Sequence, residues 1–360
     1  MRIKRVTWYS LVNFLPPFIF SLALFSFFVF WGVFLEKLSM LSKTSAGFVV
    51  VLRLALAQTP ALVSMVIPVA AMAGAFFAFR RLMQSGEWKA FLAAGWPPFS
   101  MISPLLVFSL LIAVLHFFFS EFVAAPSYTH YRKVYNTQFK RNTSWNSKKI
   151  ESPVFRNGEV FFTASSYDSG KKIFENFSAE KYEGEMPSYA IYASSAVYRP
   201  SGWKLFNVSR MIYKKGKPEK GGFFSEMLYS EIPLPEDLVF KSENLDAENF
   251  FSLDKRIDRL KKLGLKRKNE LIYFWAKLSG PLSSLVMVLA AAAVALSPWL
   301  SGNLLGAGAS LFFGFLFWNF SLTFQRMAEI ETLSPFWGAF AAPVVFGILF
   351  LIALRRMKVF

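Results

Sequence analysis

The chain is organised around the segment Arg-Arg-Leu-Met-Gln-Ser-Gly-Glu-Trp-Lys-Ala-Phe-Leu-Ala-Ala-Gly (residues 80–95), which separates two long apolar stretches. Ser85 is a good N-cap residue, and Glu87 lies where a helix N-terminus favours a negative charge. Gly95 suits the left-handed position that ends a helix, and the proline pair after it prevents the helix from continuing. The segment predicts a helix of about nine residues, roughly 13 Å long, which is too short to cross a membrane. We interpret it as a surface helix that another protein can bind.

One side of this helix is apolar. Trp88, Phe91 and Leu92 follow i, i+3, i+4 spacing and therefore share a face. Two interpretations are open for that face. It can anchor the helix in the lipid headgroup layer, or it can dock against a protein partner.

The composition indicates a membrane protein. Of 360 residues, 54% are hydrophobic and 18% are aromatic, and the formal net charge is +17. So apolar a chain is typical of polytopic membrane proteins. In such a chain, an excess of positive charge indicates positive-inside anchoring and contact with anionic lipid, and we do not expect nucleic acid as a partner.

The same composition excludes several chemistries. There is no cysteine, which excludes disulfides, iron–sulfur clusters and thiolate zinc sites. Neither His116 nor His130 has a second histidine at ligand spacing, so no metal site is predicted. The sequence contains no Gly-x-x-x-x-Gly-Lys-Ser/Thr loop, no His-Glu-x-x-His pair and no Gly-x-Ser-x-Gly elbow. We therefore predict no catalytic residues, no cofactor in this chain and no intrinsic ATP hydrolysis.

Long uncharged runs predict six membrane spans. Each has the ~20 residues that a spanning helix needs. A turn signal at residues 297–303 divides one double-length run into two spans. The predicted spans are residues 14–35, 54–79, about 99–119, two within 278–325, and 335–354.

The distribution of charge predicts the topology. Three basic clusters fall on the side that holds both termini, and the short loops opposite carry mixed charge. By the positive-inside rule, the termini and residues 80–95 are cytoplasmic, and the large polar region lies outside. The basic clusters are Arg2, Lys4 and Arg5; Arg80, Arg81 and Lys89; and Arg355, Arg356 and Lys358.

The polar central region is predicted to be β structure. Asn157-Gly158 is a hairpin signal, and short strand candidates follow at residues 189–198, 202–208 and 211–213, with Lys217-Pro218 and Gly221-Gly222 as breaks. Such spacing suggests an all-β sandwich or jelly roll. After it, Phe250, Leu253, Ile257 and Leu260 form a helical stripe among basic residues. The predicted domains are residues 1–124 (spans 1–3 with the helix at about 80–95), 125–248 (β domain), 249–271 (basic amphipathic helix) and 272–360 (spans 4–6).

Together these features resemble the LptF/LptG permease family of the lipopolysaccharide exporter. The most specific match is Glu87 followed by Ala93 and Gly95. Further matches follow in the family's order along the whole chain. They are residues 121–126 (Glu-Phe-Val-Ala-Ala-Pro), Asn157-Gly158 with Phe161-Phe162, residues 203–207 (Trp-Lys-Leu-Phe-Asn), Pro281-Leu282, and Gly306 and Gly308 with Phe313-Gly314.

The resemblance implies a polytopic α-helical membrane protein of the bacterial inner membrane with six transmembrane helices (3+3), an inserted all-β jelly-roll periplasmic domain and cytoplasmic termini. It implies extraction of lipopolysaccharide from the outer leaflet of that membrane and transfer to a periplasmic bridge. The implied partners are a paralogous permease subunit in a heterodimer, two copies of a cytoplasmic ABC ATPase that binds ATP and Mg²⁺, and a periplasmic jelly-roll bridge or single-span accessory protein. Two alternatives stay open: an ABC membrane subunit that transmits force without moving lipid, and a non-transporting envelope assembly factor.

The resemblance also implies that the surface helix couples this chain to the ATPase and that Glu87 is the residue that engages the ATPase. The alternative for Glu87 is a first-turn carboxylate that stabilises its own helix by ~0.3–1 kcal/mol. Residue by residue, the predicted coupling set is Arg80, Arg81, Glu87, Trp88, Phe91, Leu92 and Gly95.

Candidate substrate contacts lie near the outer ends of the first spans and in the β domain. Lys37, Lys43 and Arg53 are predicted to attract lipid phosphates, with ordinary snorkelling as the alternative. One departure from the family bears on this set, because residues 31–35, where some members carry a base, are uncharged here. Aromatic side chains that can line an acyl groove, or simply form the core, include Phe161, Phe162 and Phe177.

Overall fold

The computed structural model describes residues 2–39, 47–139, 149–183, 186–214, 217–235, 238, 245, 248–265, 267–300 and 302–357. The chain divides into two compact units. The helical unit comprises Met1–Phe139, Asp246–Phe250 and Lys268–Phe360. The β unit comprises Lys140–Leu245 and Phe251–Arg267.

Six helical segments in the described part of the chain are long and apolar enough to cross a membrane, which confirms the predicted class. Their charged residues gather near the ends, as a hydrocarbon interior requires. The helices of this unit are α1 (Arg2–Leu38), α2 (Phe48–Gln84), α3 (Glu87–Ala93), α4 (Pro98–Phe119), α5 (Ala125–Phe139), α7 (Lys268–Leu296), α8 (Asn303–Glu329) and α9 (Pro335–Arg356). A further helix, α6 (Phe250–Lys262), lies in the chain between α5 and α7.

Helix α7 is the centre of the helical unit. Its alanine-rich second half is almost wholly buried in the main core, together with residues of α2, α4 and α9. Small side chains let helix backbones approach closely, which is the main source of packing energy between helices in lipid. Gly74 serves the same purpose in α2, since a Cβ there would lie 2.8 Å from the Phe18 Cα of α1.

The third span does not end where the sequence indicated. After α4, a π-helical segment (Ser120–Ala124) leads directly into α5, so residues 125–139 are helical and belong to the helical unit. The prediction that the β domain begins at residue 125 therefore differs from the structure. Pro126 has no backbone N–H, so it cannot donate a hydrogen bond to the preceding turn. A π-helical segment, whose hydrogen bonds span five residues, can accommodate the missing bond. Tyr131 of α5 packs against Leu54 and Ala57 of α2, which gives the extension an apolar contact.

The break between the fifth and fourth spans lies where the turn signal placed it. Helix α7 ends at Leu296, a short 3₁₀ turn covers Pro298–Leu300, and α8 begins at Asn303. At the other end, α7 begins at Lys268, whereas the sequence analysis started the fourth-span region at residue 272.

In the described part of the β unit, eight strands form one antiparallel sheet. The Asn157-Gly158 hairpin is confirmed: Asn157 pairs with Val160 across a two-residue turn, and Gly158 has a φ of +63°. The jelly-roll arrangement itself stays a prediction. The strands are β1 (Lys149–Glu151), β2 (Val154–Asn157), β3 (Val160–Thr163), β4 (Ser166–Asp168), β5 (Ile173–Glu183), β6 (Met186–Arg199), β7 (Gly202–Lys214) and β8 (Lys217–Tyr229).

Strands β7 and β8 are longer than the sequence indicated. The predicted gap between residues 208 and 211 is absent, and β8 continues through both predicted breaks, Lys217-Pro218 and Gly221-Gly222. Among the described strands, β8 pairs with β7 alone, and an edge strand tolerates proline because one side of it needs no ladder hydrogen bonds. The propensity of these residues to break a strand is overridden by the eleven residue pairs that β8 forms with β7.

A line of polar residues crosses the long strands of the sheet. Buried residues alternate along each strand, and the alternation shifts by one residue at this line. In β5 the buried positions change from even (Phe174) to odd (Phe177), and in β7 from odd (Leu205) to even (Val208). Asn176 and Asn207 lie on this line with φ values of +46° and +49°, a region that asparagine tolerates better than most residues. The parity change keeps apolar side chains on one face of the sheet on both sides of this line, where they form the β-unit core.

Helix α6 (Phe250–Lys262) shows the predicted amphipathic pattern. Leu253, Ile257 and Leu260 are buried on one face. Gly264, at φ +65°, ends the helix, and the adjacent Leu263 carbonyl accepts a hydrogen bond from the Arg156 amide at 2.8 Å. This contact covers the outer edge of β2.

Candidate functional site

The surface helix α3 is shorter than predicted and is capped differently. It spans seven residues, its N-cap is Gly86 at φ +76°, and no side chain caps it. The Ser85 hydroxyl instead bonds to the Leu82 carbonyl of α2, so the prediction that Ser85 is the N-cap is wrong. A serine can bond backward to the helix before it as readily as forward, and here the turn at Gly86 separates it from α3.

The C-terminal end of α3 is as predicted. Gly95 has a φ of +78°, its amide bonds to Leu92 O, and the Trp96 amide bonds to Phe91 O, both at 3.0 Å. These two bonds form a Schellman motif, which favours glycine at this position because other residues are strained there. Pro98 then begins α4. The helix is therefore held between α2 and α4 by a defined turn at each end.

Glu87, the first residue of α3, forms a hydrogen bond to the first span. The Tyr9 hydroxyl of α1 donates to Glu87 Oε2 at 2.5 Å, and Asn13 Nδ2 donates to the Tyr9 carbonyl at 3.0 Å. Glu87 is half-buried and Tyr9 is exposed, so the carboxylate is held in place and still open to solvent on one side. Sequence reasoning missed Tyr9, because no local spacing relates it to a residue 78 positions later.

The three apolar residues of α3 do not form one exposed face. Trp88 is 9% exposed and belongs to the main core, Phe91 packs partly against that core, and Leu92 is 40% exposed. The predicted shared face is therefore divided between the interior and the surface. The reason is the large apolar area of Trp88, which is more stable against the ends of the spans than in water.

The two arginines that precede α3 also differ in exposure. Arg80 is 9% exposed and Arg81 is exposed. Around Glu87, the described surface that a partner can reach thus includes Arg81, Lys89 and Leu92. With the half-buried Glu87, the two cations give this surface a mixed charge.

Lys37, in the last turn of α1, is buried. Its residue is 3% exposed, its Nζ lies 2.7 Å from Glu36 Oε1, and the ammonium lies 5.4 Å from the centre of the Tyr131 ring. Lys37 thus has two partners within the chain. From the sequence, we expected this ammonium to be open to lipid phosphate. Its role in substrate binding stays a prediction.

The other substrate candidates are placed differently. Arg53 is exposed near the beginning of α2, and Lys43 lies outside the described residues. In the β unit, Phe162 and Phe177 are core residues at 0% and 1% exposure. Phe161 is 41% exposed, with the Arg156 guanidinium 5.4 Å from its ring. Only Phe161 of these three aromatics is open to a ligand in this structure.

Glu121 and Lys277 form a buried ion pair between the third and fourth spans. Lys277 Nζ lies 2.8 Å from Glu121 Oε1, and the side chains are 12% and 2% exposed. Glu121 Oε2 accepts a further hydrogen bond from the Phe250 amide. In the sequence, residues 121–126 were identified only by their resemblance to the family. No local pattern of residues indicated that Lys277 pairs with Glu121.

His116, in α4, is buried between spans. Its Nε2 lies 2.9 Å from the Ser64 hydroxyl of α2, in keeping with a packing residue. Within the described part of the chain, no group of three or more histidine, aspartate or glutamate side chains has the arrangement of a metal site.

A comparison with models of protein families gives a match. The family model described as lipopolysaccharide export system permease LptF/LptG matches residues 8–356, which is nearly the whole chain. No curated protein matches it.

Proposed function

Because the chain belongs to the family of lipopolysaccharide export system permeases LptF/LptG, we propose that it is one membrane subunit of an ABC exporter that extracts lipopolysaccharide from the outer leaflet of the inner membrane. The observation that carries the proposal is that the match extends across both the membrane spans and the β unit. The chain is a permease with transmembrane helices and a role in lipid transport. The ABC partnership and the direction of transfer are the proposed part.

The energy of transport is proposed to come from a cytoplasmic ATPase present in two copies, which binds ATP and Mg²⁺. This chain contributes the non-catalytic coupling surface. Helix α3 is held rigidly at its C-terminal end by the Gly95 motif and carries Glu87 at its first position. A carboxylate at a helix start can receive charge-assisted hydrogen bonds from a partner, and such bonds are about twice as strong as neutral ones. Closure of the ATPase would move α3 and, through it, α2 and α4.

The orientation that this requires follows from charge. By the positive-inside rule, the basic residues that flank the spans support a proposed orientation with both termini and α3 in the cytoplasm and the β unit in the periplasm. In this orientation the outer leaflet adjoins the outer ends of the spans, where Arg53 is exposed.

The lipid pathway is proposed to lie between this chain and a paralogous subunit. Helices α1 and α8 expose many large apolar side chains, such as Phe20 at 69% and Phe315 at 60%, while α7 is mostly buried. These exposed faces are suited to lipid and to a second six-span subunit. A cavity between two such subunits can open sideways to the outer leaflet and take up a lipid without moving its saccharide through the hydrocarbon.

Transfer out of the membrane is proposed to proceed through the β unit. Among the described strands, β8 has one neighbour only, and its exposed Phe223 and Leu228 offer apolar area beside the open backbone edge. Such an edge can pair with a strand of a jelly-roll bridge or of a single-span accessory protein. The edge of β2 is instead covered by Leu263, and β1, at the other end of the described sheet, is only three residues long. Both facts favour strand addition at β8.

The proposal is tested by purifying the chain from its native membrane in mild detergent and identifying bound protein and lipid by mass spectrometry. We expect a second six-span subunit, an ABC ATPase and a glycolipid that contains lipid A. Co-purification of the ATPase without the glycolipid would favour a force-transmitting subunit. Recovery of the chain without any ATPase would favour an assembly factor, and either result would overturn the proposal.

A further inference from the structure

The buried carboxylate of Glu121 brings together three parts of the helical unit. One oxygen receives the Lys277 ammonium of α7 at 2.8 Å, and the other receives the backbone amide of Phe250. Glu121 itself lies in the π-helical segment at residues 120–124, and such segments within long helices are frequent at functional positions. Both oxygens of one carboxylate are thus used to join the third span, the fourth span and the first residue of α6.

The side chain of Phe250 is held in the same place. Its ring stacks on Phe274 of α7 with centroids 4.4 Å apart, and it meets the edge of Phe117 of α4 at 5.8 Å. The backbone and the side chain of Phe250 therefore contact the same two spans. Phe250 is also the last residue of the helical unit before the chain enters the β unit, and the chain returns at Lys268.

A buried ion pair of this kind is not explained by stability alone. Removing two charges from water is costly, and apolar side chains of similar volume usually give equal or greater stability. An apolar pair cannot, however, accept the hydrogen bond of the part-buried Phe250 amide, and an unsatisfied amide is itself unfavourable. The carboxylate accepts the amide hydrogen bond, and Lys277 orients the carboxylate.

We propose that Glu121 and Lys277 are positioning residues for lipid transfer, which fix the backbone of Phe250 and so the point at which the chain leaves the spans for the β unit. This proposal rests on the proposed function. In this role the acceptor oxygen at position 121 is the essential feature, and the ion pair serves to orient it. Motion of the third and fourth spans during an ATP cycle would then carry Phe250 with them.

Two double variants separate the acceptor from the charge. Glu121→Gln with Lys277→Met keeps an oxygen that can accept the amide bond and leaves no unpaired charge. Glu121→Ala with Lys277→Met removes the oxygen as well. Each is assembled with its ATPase and partner subunit, and hydrogen exchange of the Phe250 amide is measured together with lipid delivered per ATP hydrolysed. We expect the Gln/Met variant to stay within about twofold of wild type, and the Ala/Met variant to lose about tenfold or more in both amide protection and lipid delivered per ATP.

A second pair removes the donor instead. Phe250→Pro and Phe250→Ala both lose the ring, but only proline lacks the N–H, and proline is tolerated at the first position of a helix. We expect Phe250→Pro to deliver less lipid per ATP than Phe250→Ala, with ATP hydrolysis similar in both. Equal delivery by the Gln/Met and Ala/Met variants, or by the two Phe250 variants, would overturn the proposal. If the wild type delivers no lipid, the proposed function fails, and amide exchange at Phe250 still shows whether Glu121 anchors it.

Discussion

The phenolic hydroxyl of Tyr9, near the start of the first span, donates a hydrogen bond to the Glu87 carboxylate at 2.5 Å. The bond connects the helix proposed to meet the ATPase with a span proposed to line the lipid pathway. It orients the carboxylate, and it also occupies one of the lone pairs that a partner would use. Movement of α3 and movement of α1 are therefore coupled in the proposed mechanism.

Replacing Glu87 with Ala should uncouple ATP hydrolysis from lipid release. The variant loses the acceptor for the partner's donors, and we expect lipid release per ATP to fall by about tenfold, which corresponds to ~1.4 kcal/mol of coupling. Release from reconstituted vesicles and ATP hydrolysis are measured on the same sample. Lys171→Ala, an exposed change in the β unit and outside the surface around Glu87, is the control. Unchanged release by the Glu87 variant would remove this residue from the mechanism.

Replacing Tyr9 with Phe should have a smaller effect than Glu87→Ala. The change removes one hydrogen bond worth ~0.5–1.5 kcal/mol and leaves the Glu87 charge in place. Converted to a ratio, that free energy corresponds to about a two- to tenfold loss of lipid release per ATP, which is the effect we expect. In a double-mutant cycle with Glu87→Gln, the two effects should not add, because both act through the same bond. Additive losses would show that Tyr9 acts independently of Glu87.

Replacing Gly306 with Ala should destabilise the helical unit. A Cβ at Gly306 would overlap the Phe76 ring of α2, and such overpacking costs ~1–3 kcal/mol. Gly308, one half-turn along the same helix, has no neighbouring heavy atom within 4 Å of its Cβ position. Gly308→Ala should therefore be neutral or slightly stabilising. The check is the thermal unfolding midpoint of both variants in one detergent, and equal midpoints would contradict the close approach of α8 and α2.

The β unit should lose stability in alkali because of a tyrosine pair. Tyr189 OH lies 2.8 Å from Tyr229 OH, and both bond to Glu231 Oε2. Burial, followed by the hydrogen bond to Glu231, raises the pKa of Tyr189 to about 12 from 10.0. Burial also raises the pKa of Tyr229. A raised pKa means that the folded state keeps the proton longer than the unfolded state, so the stabilisation is complete below pH 10 and is lost as the pH rises toward 12.

The measurement for this pair is the denaturant midpoint of the β-structure signal at pH 9 and pH 11. Wild type should show a clear fall between the two, and Tyr189→Phe a shallower fall, even if its midpoint at pH 9 is lower. Tyr198→Phe serves as a control within the same sheet. A slope that Tyr189→Phe leaves unchanged would show that other groups cause the alkaline loss.

Arg53→Gln should weaken lipid binding at the outer ends of the spans more than Lys37→Met does. Arg53 is exposed, while the Lys37 ammonium already contacts Glu36 and Tyr131. An exposed charge pair is worth up to about 1 kcal/mol, so we expect up to a fivefold loss for Arg53→Gln. The check is the yield of lipid photocrosslinked to a probe near the start of α2. The reverse ranking would return the phosphate-binding role to Lys37.

The sequence by itself determined the features that depend on neighbouring residues. Uncharged runs gave the six spans, the Ser297–Leu300 region gave the turn between α7 and α8, and Asn157-Gly158 gave a hairpin. Gly95 was identified from its local setting, because the left-handed conformation after a helix strongly favours glycine. Each of these predictions depends only on residues within a single span or a single turn.

Only the tertiary structure decided which side chains meet across the helices. The direction of the Ser85 hydroxyl, the burial of Trp88 and the pairing of Lys37 with Tyr131 all depend on neighbours that packing supplies. Glu121 and Lys277 are 156 positions apart, and Tyr9 and Glu87 are 78 apart. Periodicity and capping act over a few residues, whereas the free energy of a buried charge or hydrogen bond depends on groups that only the folded chain brings together.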